Sequence, residues 1–375
     1  MHSPARTSWT LVTTLFIVGL LAAMQFIKVS LTLETLAVLY DASVQAVSFF
    51  VTMVSSIGIA LGVVAGALVA RLGTRPVILG ALALGSAVSL AGALLPAYLP
   101  MLLLRALEGV SHLALVVAVP PTMAAAATDA DRPVVMSIWA MFFGVAFAVA
   151  AAVFPPLLAL GGVEALFLTH GAAFALLFVV LWVLLPPTRG EPTDIAFFAA
   201  HREAYGSARL AGPALVFVIY TLLFVATVTF LPPAFARPEL AGILPLVSLA
   251  GTFAAGWLCK SQPPGRVMAL GYLCMLFGAL PLPLGFWPAS YLLFIGMGLV
   301  PGACFAAIPA WNARGGDQAR ATGAIAQMGN VGTGLGTPIF AFVIAGTGDA
   351  GLWALLILWP VAALMIVRAV TRRLR

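Results

Sequence analysis

The chain has 375 residues, of which 63% are hydrophobic and 8% are charged, and its formal net charge is +6. Soluble proteins usually carry about 25% charged residues, so this composition leaves too little polar surface to cover a water-soluble fold. The positive charge is not clustered in a soluble domain, which argues against a nucleic-acid-binding protein. The composition therefore predicts an all-α or all-β integral membrane protein.

Twelve apolar runs follow one another along the chain, and each has about the 20 residues that a membrane-spanning helix needs. The runs are continuously apolar and do not alternate, which excludes membrane-spanning strands. The first run is long and heads a series of similar runs, so we interpret it as a membrane helix and not as a signal peptide. The runs lie at residues 9–29, 43–69, 76–95, 99–122, 133–157, 163–185, 213–231, 241–259, 266–287, 290–311, 321–345 and 351–370.

The basic residues indicate which side of the membrane each loop occupies. With a cytoplasmic N-terminus, nearly all Lys and Arg fall on the inner side, whereas the outer loops receive Arg237 together with Glu34, Asp41, Glu164, Glu239 and Asp349. This asymmetry is the positive-inside pattern, and an even number of helices places both termini inside. We therefore predict a multi-pass protein of the cell membrane, the inner membrane in a bacterium, with both termini cytoplasmic.

A hydrophilic stretch from Pro186 to Gly212 divides the twelve runs into six and six. The two parts can be superposed in sequence with an offset of 188 to 190 residues, so that Gly66 meets Gly256 and Arg132 meets Arg320. Parallel repeats of this kind are a known plan of transporters. We predict two pseudo-symmetric six-helix bundles, residues 1–186 and 213–375, joined by a cytoplasmic linker, residues 187–212, part of which could lie on the membrane as an interfacial helix.

Stripes of small residues, spaced four apart, occur on the second, fifth, eighth and eleventh runs. Such stripes allow another helix backbone to approach closely. They consist of Gly58, Gly62 and Gly66; Gly144, Ala148 and Ala152; Ser248, Thr252 and Gly256; and Gly332 and Gly336. We expect them at close contacts between helices.

The fourth run holds three ionisable residues, Arg105, Glu108 and His112, at spacings that place them on one helix face. Ionisable groups inside a membrane helix are costly and are candidates for function. A buried carboxylate beside an arginine can exchange protons when their separation changes, so Glu108 is the predicted proton-coupling site, with Arg105 as its partner and His112 as a relay. The alternatives are a structural ion pair and a packed histidine.

Other polar residues in the apolar runs are candidates for substrate binding. Lys28, near the outer end of the first run, either extends to water or faces a cavity with Gln25. His170 has no charged residue nearby in sequence, so it is read as structural. The substrate-binding candidates are Gln25, Lys28, Arg105, Tyr220, Gln327 and Asn330. Cations in one half and hydrogen-bonding groups in the other suit a small organic anion or a zwitterion.

The segment from Gly66 to Arg75 carries the most specific motif. Gly66, Arg71, Gly73 and Arg75 match the signature loop of the major facilitator superfamily, which the chain resembles over nearly its whole length; Ala70 stands where the family has an acidic residue. Leu102–Gly109 is similar to a second motif of the family. The resemblance implies alternating access, with these four loop residues in the gate and the second, fifth, eighth and eleventh helices between the halves.

We therefore expect a monomeric, proton-coupled secondary transporter for a small organic solute in the lipid bilayer. A proton-coupled efflux antiporter for drugs or metabolites is the alternative. An integral membrane enzyme is disfavoured because no metal spacing, nucleophile motif or nucleotide loop is present, and a channel because no filter or charged ring is visible. No cofactor or metal is expected, and the three cysteines are too few and too scattered for a disulfide framework.

Overall fold

The computed structural model describes residues 6–128, 130–188, 190, 196–313 and 315–374. Fifteen α-helices form within these residues, and no strand is found among them. The helices are α1 Trp9–Ser30, α2 Leu33–Leu39, α3 Val44–Leu61, α4 Ala65–Leu72, α5 Thr74–Gly92, α6 Tyr98–Ala125, α7 Arg132–Ala140, α8 Phe142–Leu184, α9 Phe197–Ala204, α10 Ala208–Ala234, α11 Leu240–Leu258, α12 Pro264–Ala279, α13 Ala289–Trp311, α14 Gly315–Thr347 and α15 Asp349–Arg373.

Eleven helices in the described part of the chain are long and apolar enough to cross a membrane. One of them, α8, has 43 residues, and its backbone leaves the helical conformation at Gly161 and Gly162, where Gly162 has a φ of 63°. The segments before and after these glycines correspond to the predicted runs 133–157 and 163–185. The structure thus confirms the all-α membrane fold and is consistent with twelve crossings.

Four short helices, α2, α4, α7 and α9, are separate from the eleven long ones in the described part of the chain. The second predicted run is broken after α3, and its last turns form α4. The predicted interfacial segment of the linker contains α9, in which Phe198 is 85% exposed, as expected for a helix at a membrane surface. Helix α10 begins at Ala208, five residues before the predicted start, and residues 191–195 of the linker lie outside the described residues.

The described chain packs into two compact units. The first comprises the residues before Ser43 and those from Val64 to position 195; the second comprises Ser43–Val63 and the chain from Ala196 onward. Helix α3 counts with the second unit because it packs along α14. The division into two repeated six-helix halves, residues 1–186 and 213–375, stays a prediction.

The small-residue stripes of α3, α11 and α14 lie partly at close helix contacts, and of these only the stripe of α3 faces a helix of the other predicted half. A Cβ atom at Gly62 would lie 2.7 Å from Cα of Gln327 on α14, so the stripe of α3 faces the eleventh predicted helix. By contrast, Gly332 and Gly336 face Thr221 and Leu222 of α10. The prediction that these two glycines lie between the halves is wrong, because α10 and α14 both belong to the second half.

The stripe of α11 also packs inside its own half. Thr252 Oγ1 donates a hydrogen bond of 3.2 Å to the carbonyl oxygen of Gly298 on α13, and Gly298 lies directly against the carbonyl group of Ser248. The absence of a side chain at Gly298 therefore permits the close crossing of α11 and α13. For Gly256, no atom lies within 4 Å of a Cβ built at that position.

Candidate functional site

The first unit contains a buried cluster of ionisable side chains from three helices. Lys28 comes from α1, Arg105 and Glu108 from α6, and His170 from α8. Lys28 and Arg105 are 0% exposed and Glu108 is 2% exposed. Glu108 is paired with both cations: one carboxylate oxygen contacts the ammonium group of Lys28 and the other contacts the guanidinium group of Arg105. The carboxylate thus bridges two positive charges.

The surroundings of Lys28 match a charged ammonium group with three donors. Besides Glu108, its Nζ lies 3.1 Å from Oγ of Ser89 and 3.1 Å from Nδ1 of His170. Ser89 donates its own proton to the carbonyl oxygen of Phe167, and Nε2 of His170 lies 3.0 Å from the carbonyl oxygen of Leu21, where it donates. Ser89 and the neutral imidazole therefore both accept from Lys28, and all three donors are satisfied.

Arg105 connects this cluster to the backbone and side chain of Gln25. The guanidinium group donates to the carbonyl oxygen of Gln25, and Nε2 of Gln25 donates to Oγ of Ser111 at 3.2 Å. Ser111 in turn donates to the carbonyl oxygen of Ala81 at 2.8 Å. The Oε1 atom of Gln25 is buried and has no hydrogen-bond partner in the described part of the chain. A buried acceptor is therefore available beside the ion cluster.

The cluster carries one excess positive charge. Lys28 and Arg105 contribute two positive charges and Glu108 one negative charge, while the hydrogen bonds of His170 fit a neutral ring. Among the other described carboxylates of this unit, Glu34, Asp41 and Glu164 are exposed, and Asp131 accepts a hydrogen bond from Thr7. No second buried carboxylate within these residues balances the charge. An uncompensated charge inside a membrane protein is costly, and a bound anion would offset it.

The structure changes the sequence-based interpretation of three residues. Lys28 does not extend to water, since it is fully buried. It belongs to the ion cluster, which the backbone carbonyl group of Gln25 also contacts through Arg105. His170 is not isolated, because α8 brings it to Lys28 although 142 residues separate them in sequence. His112 lies deeper on α6, where Nδ1 is 2.9 Å from the carbonyl oxygen of Ala22 and the ring packs edge-on against Phe26 at 4.7 Å. Its relay role stays a prediction.

In the second unit, Gln327 links three elements. Its Nε2 atom donates to the carbonyl oxygen of Ile59 on α3 at 2.6 Å and lies 2.9 Å from Nε2 of His201 on α9. Its Oε1 atom accepts from the hydroxyl of Tyr205 at 2.6 Å. Burial raises the pKa of Tyr205 to about 12, so this hydroxyl remains a donor at neutral pH. The amide of Gln327 is therefore fully used by protein groups.

The two other substrate-binding candidates of the second unit are partly enclosed by neighbouring residues. Asn330 donates to the carbonyl oxygen of Ala326 at 2.9 Å and fills the space next to Gly58 on α3. The ring of Tyr220 packs between Phe217 and Phe224, with centroid distances of 5.3 and 5.5 Å. Their roles in binding stay predictions.

The loop that carries the signature motif joins α4 to α5. Gly73 has a φ of 87°, a conformation that favours glycine, and Gly66 and Arg71 are exposed. Arg75 donates to the carbonyl oxygen of Trp182 at 2.7 Å, and its backbone N–H donates to Thr188 at 2.9 Å. Arg75 therefore ties the start of α5 to the end of α8.

Within the described residues, no group of three or more His, Cys, Asp or Glu side chains could hold a metal ion. Cys259, Cys274 and Cys304 are free thiols, and Cys304 is buried.

Solved structures share the fold of this chain. The chain aligns with a bacterial homologue of the human lysosomal transporter Spinster, solved in inward-facing conformations. With the unoccupied form the TM-score is 0.70 at 15% identity, over 97% of this chain and 95% of the other. With the occupied form the TM-score is 0.73 at 15% identity, over 99% and 98%. The chain therefore shares the multi-pass helical fold of these structures.

The family follows from the sequence itself. The family model of the Major Facilitator Superfamily matches residues 15–337, which is most of the chain. A comparison with curated protein sequences gives no match. The chain belongs to the Major Facilitator Superfamily, as the signature loop and the helix pattern predicted.

Proposed function

We propose that the protein is a secondary transporter that moves a small organic anion together with a proton by alternating access. The observation that supports this function is the buried Lys28–Glu108–Arg105 cluster with its single excess positive charge. The two cations would bind an anionic substrate, and the acceptor Oε1 of Gln25 would bind a hydroxyl or amide donor on the same substrate.

Competition for the two cations would couple the anion to the proton. While Glu108 is ionised, its carboxylate occupies the donors of Lys28 and Arg105 that an anion would need. Protonation of Glu108 removes the competing negative charge and leaves two cations for the substrate. Anion affinity therefore increases as the pH falls, and by linkage the bound anion favours protonation. A change in the separation of these groups during alternating access would release both together.

A ligand-stabilisation screen on the purified protein tests this function. The panel consists of small carboxylates, sulfonates and phosphate esters, with uncharged and zwitterionic compounds of similar shape. We expect at least one anion to raise the melting temperature, and more strongly at mildly acidic pH. Lys28→Met should weaken the binding of that anion by roughly tenfold or more, because a charge-assisted hydrogen bond is lost. Arg237→Gln, which changes an exposed arginine paired with Glu239, is the matched control.

Proteoliposomes loaded with a pH-sensitive dye then test the coupling. Uptake of the anion should carry protons inward in the wild-type protein. Glu108→Gln should exchange the anion between the two sides with no proton movement, because the amide keeps the shape of the side chain. Three results would contradict the proposal: an anion response that Lys28→Met leaves intact, a preference for zwitterions alone, or proton-driven accumulation by Glu108→Gln.

A further inference from the structure

A concave site lies in the second unit, where α12 begins and α15 ends. The pocket has a volume of about 440 Å³ and is lined by Gly265 and Arg266 of α12, Trp311 of α13, and Leu364, Val367 and Arg368 of α15, together with a few neighbours. Gly265 permits this arrangement, since a Cβ atom there would lie 2.5 Å from Cγ2 of Thr371.

The polar part of the pocket is positively charged. Arg266 and Arg368 both line it, and no Asp or Glu is among its lining residues. Arg266 donates to Oε1 of Gln262 at 3.2 Å and remains exposed. Two guanidinium groups that line one pocket form a site that favours a phosphate group.

The apolar part of the site continues along α12. Leu270, Leu273 and Phe277 follow Arg266 at spacings of four, three and four residues, which keeps them on one helix face. All three side chains are exposed in the structure. Because α12 crosses the membrane, this exposed apolar stripe runs from the arginine toward the bilayer interior.

Helix α15 has the same arrangement in the opposite chain direction. Met365, Val361 and Leu358 precede Arg368 at spacings of three, four and three residues, and all three are exposed. Both arginines therefore stand at the surface end of an apolar stripe. A ligand that fits has an anionic head and long apolar chains, and a free phosphate ion would use only the head site.

We propose that this pocket binds the headgroup of an anionic phospholipid, with the acyl chains lying along the stripes of α12 and α15. The leaflet is the one at which α12 begins, which the charge pattern predicts to be the cytoplasmic one. Basic pockets at this depth suit anionic headgroups, whereas the ammonium group of a zwitterionic lipid finds no carboxylate among the lining residues.

Thermal unfolding of the delipidated, detergent-purified chain tests the site with three probes: phosphatidylglycerol, phosphatidylcholine and inorganic phosphate. Phosphatidylglycerol should raise the melting temperature more than either other probe. The double variant Arg266→Gln/Arg368→Gln should weaken phosphatidylglycerol binding by roughly tenfold or more. The matched control is Arg372→Gln/Arg373→Gln. It also removes two positive charges, here at the C-terminal end of α15, but from residues that do not line the pocket.

Three outcomes would overturn the proposal. An equal response to phosphatidylcholine would indicate general solvation by lipid. An equal response to inorganic phosphate would indicate a site for the free ion. An equal loss in both double variants would indicate that only the overall positive charge of this surface matters. The melting temperatures without lipid show whether each variant is folded, so a loss of binding is separable from a loss of structure.

Discussion

Lys28 shows how a single side chain can set the charge of a membrane protein interior. Its three donors meet three acceptors, from Glu108, Ser89 and His170, and its stem lies against the ring of Phe167, with Nζ 4.1 Å from the ring centroid. A lysine in such surroundings remains charged without contact with water. Lys28 and Arg105 share one carboxylate, that of Glu108, so the cluster keeps one excess positive charge.

Removal of the charge of Lys28 and removal of the charge of Glu108 should therefore differ in their effect on stability. Lys28→Met leaves a balanced Arg105–Glu108 pair, so we expect its melting temperature to stay close to that of the wild type. Glu108→Gln leaves two buried cations with no counter-charge, and we expect a loss on the order of 3 kcal/mol. Thermal unfolding in detergent without ligand compares the two variants. A larger loss for Lys28→Met than for Glu108→Gln would mean that the cluster has no excess charge.

The sequence predicted part of this cluster. The spacing of Arg105 and Glu108 on one helix is enough to predict their pairing, because residues three apart on a helix are neighbours. The partnership of Lys28 with His170 depends on the packing of α1 against α8, and no local pattern records it. The burial of Lys28 was open for the same reason, since its depth depends on where α1 ends and on what covers it. A histidine in an otherwise apolar run was the one available signal for His170.

At the scale of helices, the lengths of the apolar runs predicted the membrane-spanning helices well. The small residues predicted where two helices come close, but not which helix each stripe contacts. The predicted runs agree with the observed helices to within a few residues at most ends, because a helix in lipid must satisfy its own backbone. The stripe on α14 shows the limit. Gly334 faces Ser55 of α3, whereas Gly332 and Gly336 face α10, so the same helix carries glycines toward two neighbours. Spacing alone does not tell which neighbour a stripe meets.

The two glycine contacts should respond differently to substitution. A side chain at Gly332 would meet Thr221 and the backbone of α10, so the tight packing of α10 on α14 would be lost and Gly332→Leu should reduce the amount of folded protein in the membrane. A side chain at Gly62 would meet Gln327, whose amide holds α9 and α3, so Gly62→Leu should reduce transport more than it reduces folding. Gly256→Leu is the control, because its Cβ position is open.

Size-exclusion profiles of detergent extracts report folding, and uptake into proteoliposomes reports transport. Equal profiles for Gly332→Leu and Gly256→Leu would contradict the packing argument for α10 and α14. Full transport by Gly62→Leu would show that the contact of α3 with Gln327 has no part in the cycle.

At the scale of the whole molecule, orientation in the membrane rests on the asymmetry of basic residues. We expect the turn after α11 to be cytoplasmic and the turn after α12 to be external. Single cysteines at Ser261 and Phe286, in a background without the three native cysteines, test this with a membrane-impermeant thiol reagent. Both positions are exposed. Phe286→Cys should react in intact cells and Ser261→Cys only after lysis; the reverse pattern would invert the topology.

A reporter tag in the linker is less suitable for this test than a cysteine in either turn. Gly190 lies directly against the backbone of Arg71, so a tag inserted there would disturb the signature loop. Ser261 and Phe286 are exposed in turns between spans, where a thiol reagent can reach them.

The excess charge of the Lys28 cluster also determines how the membrane voltage acts on transport. Moving one elementary charge across about 100 mV changes the free energy by about 2.3 kcal/mol. A monoanion that binds with one proton adds no net charge, so the voltage acts equally on the empty and the loaded protein. A dianion that binds with one proton makes the loaded cluster neutral, and only the empty protein then feels the field. The charge of the cargo thus decides whether the resting potential of the cell biases the direction of net flow.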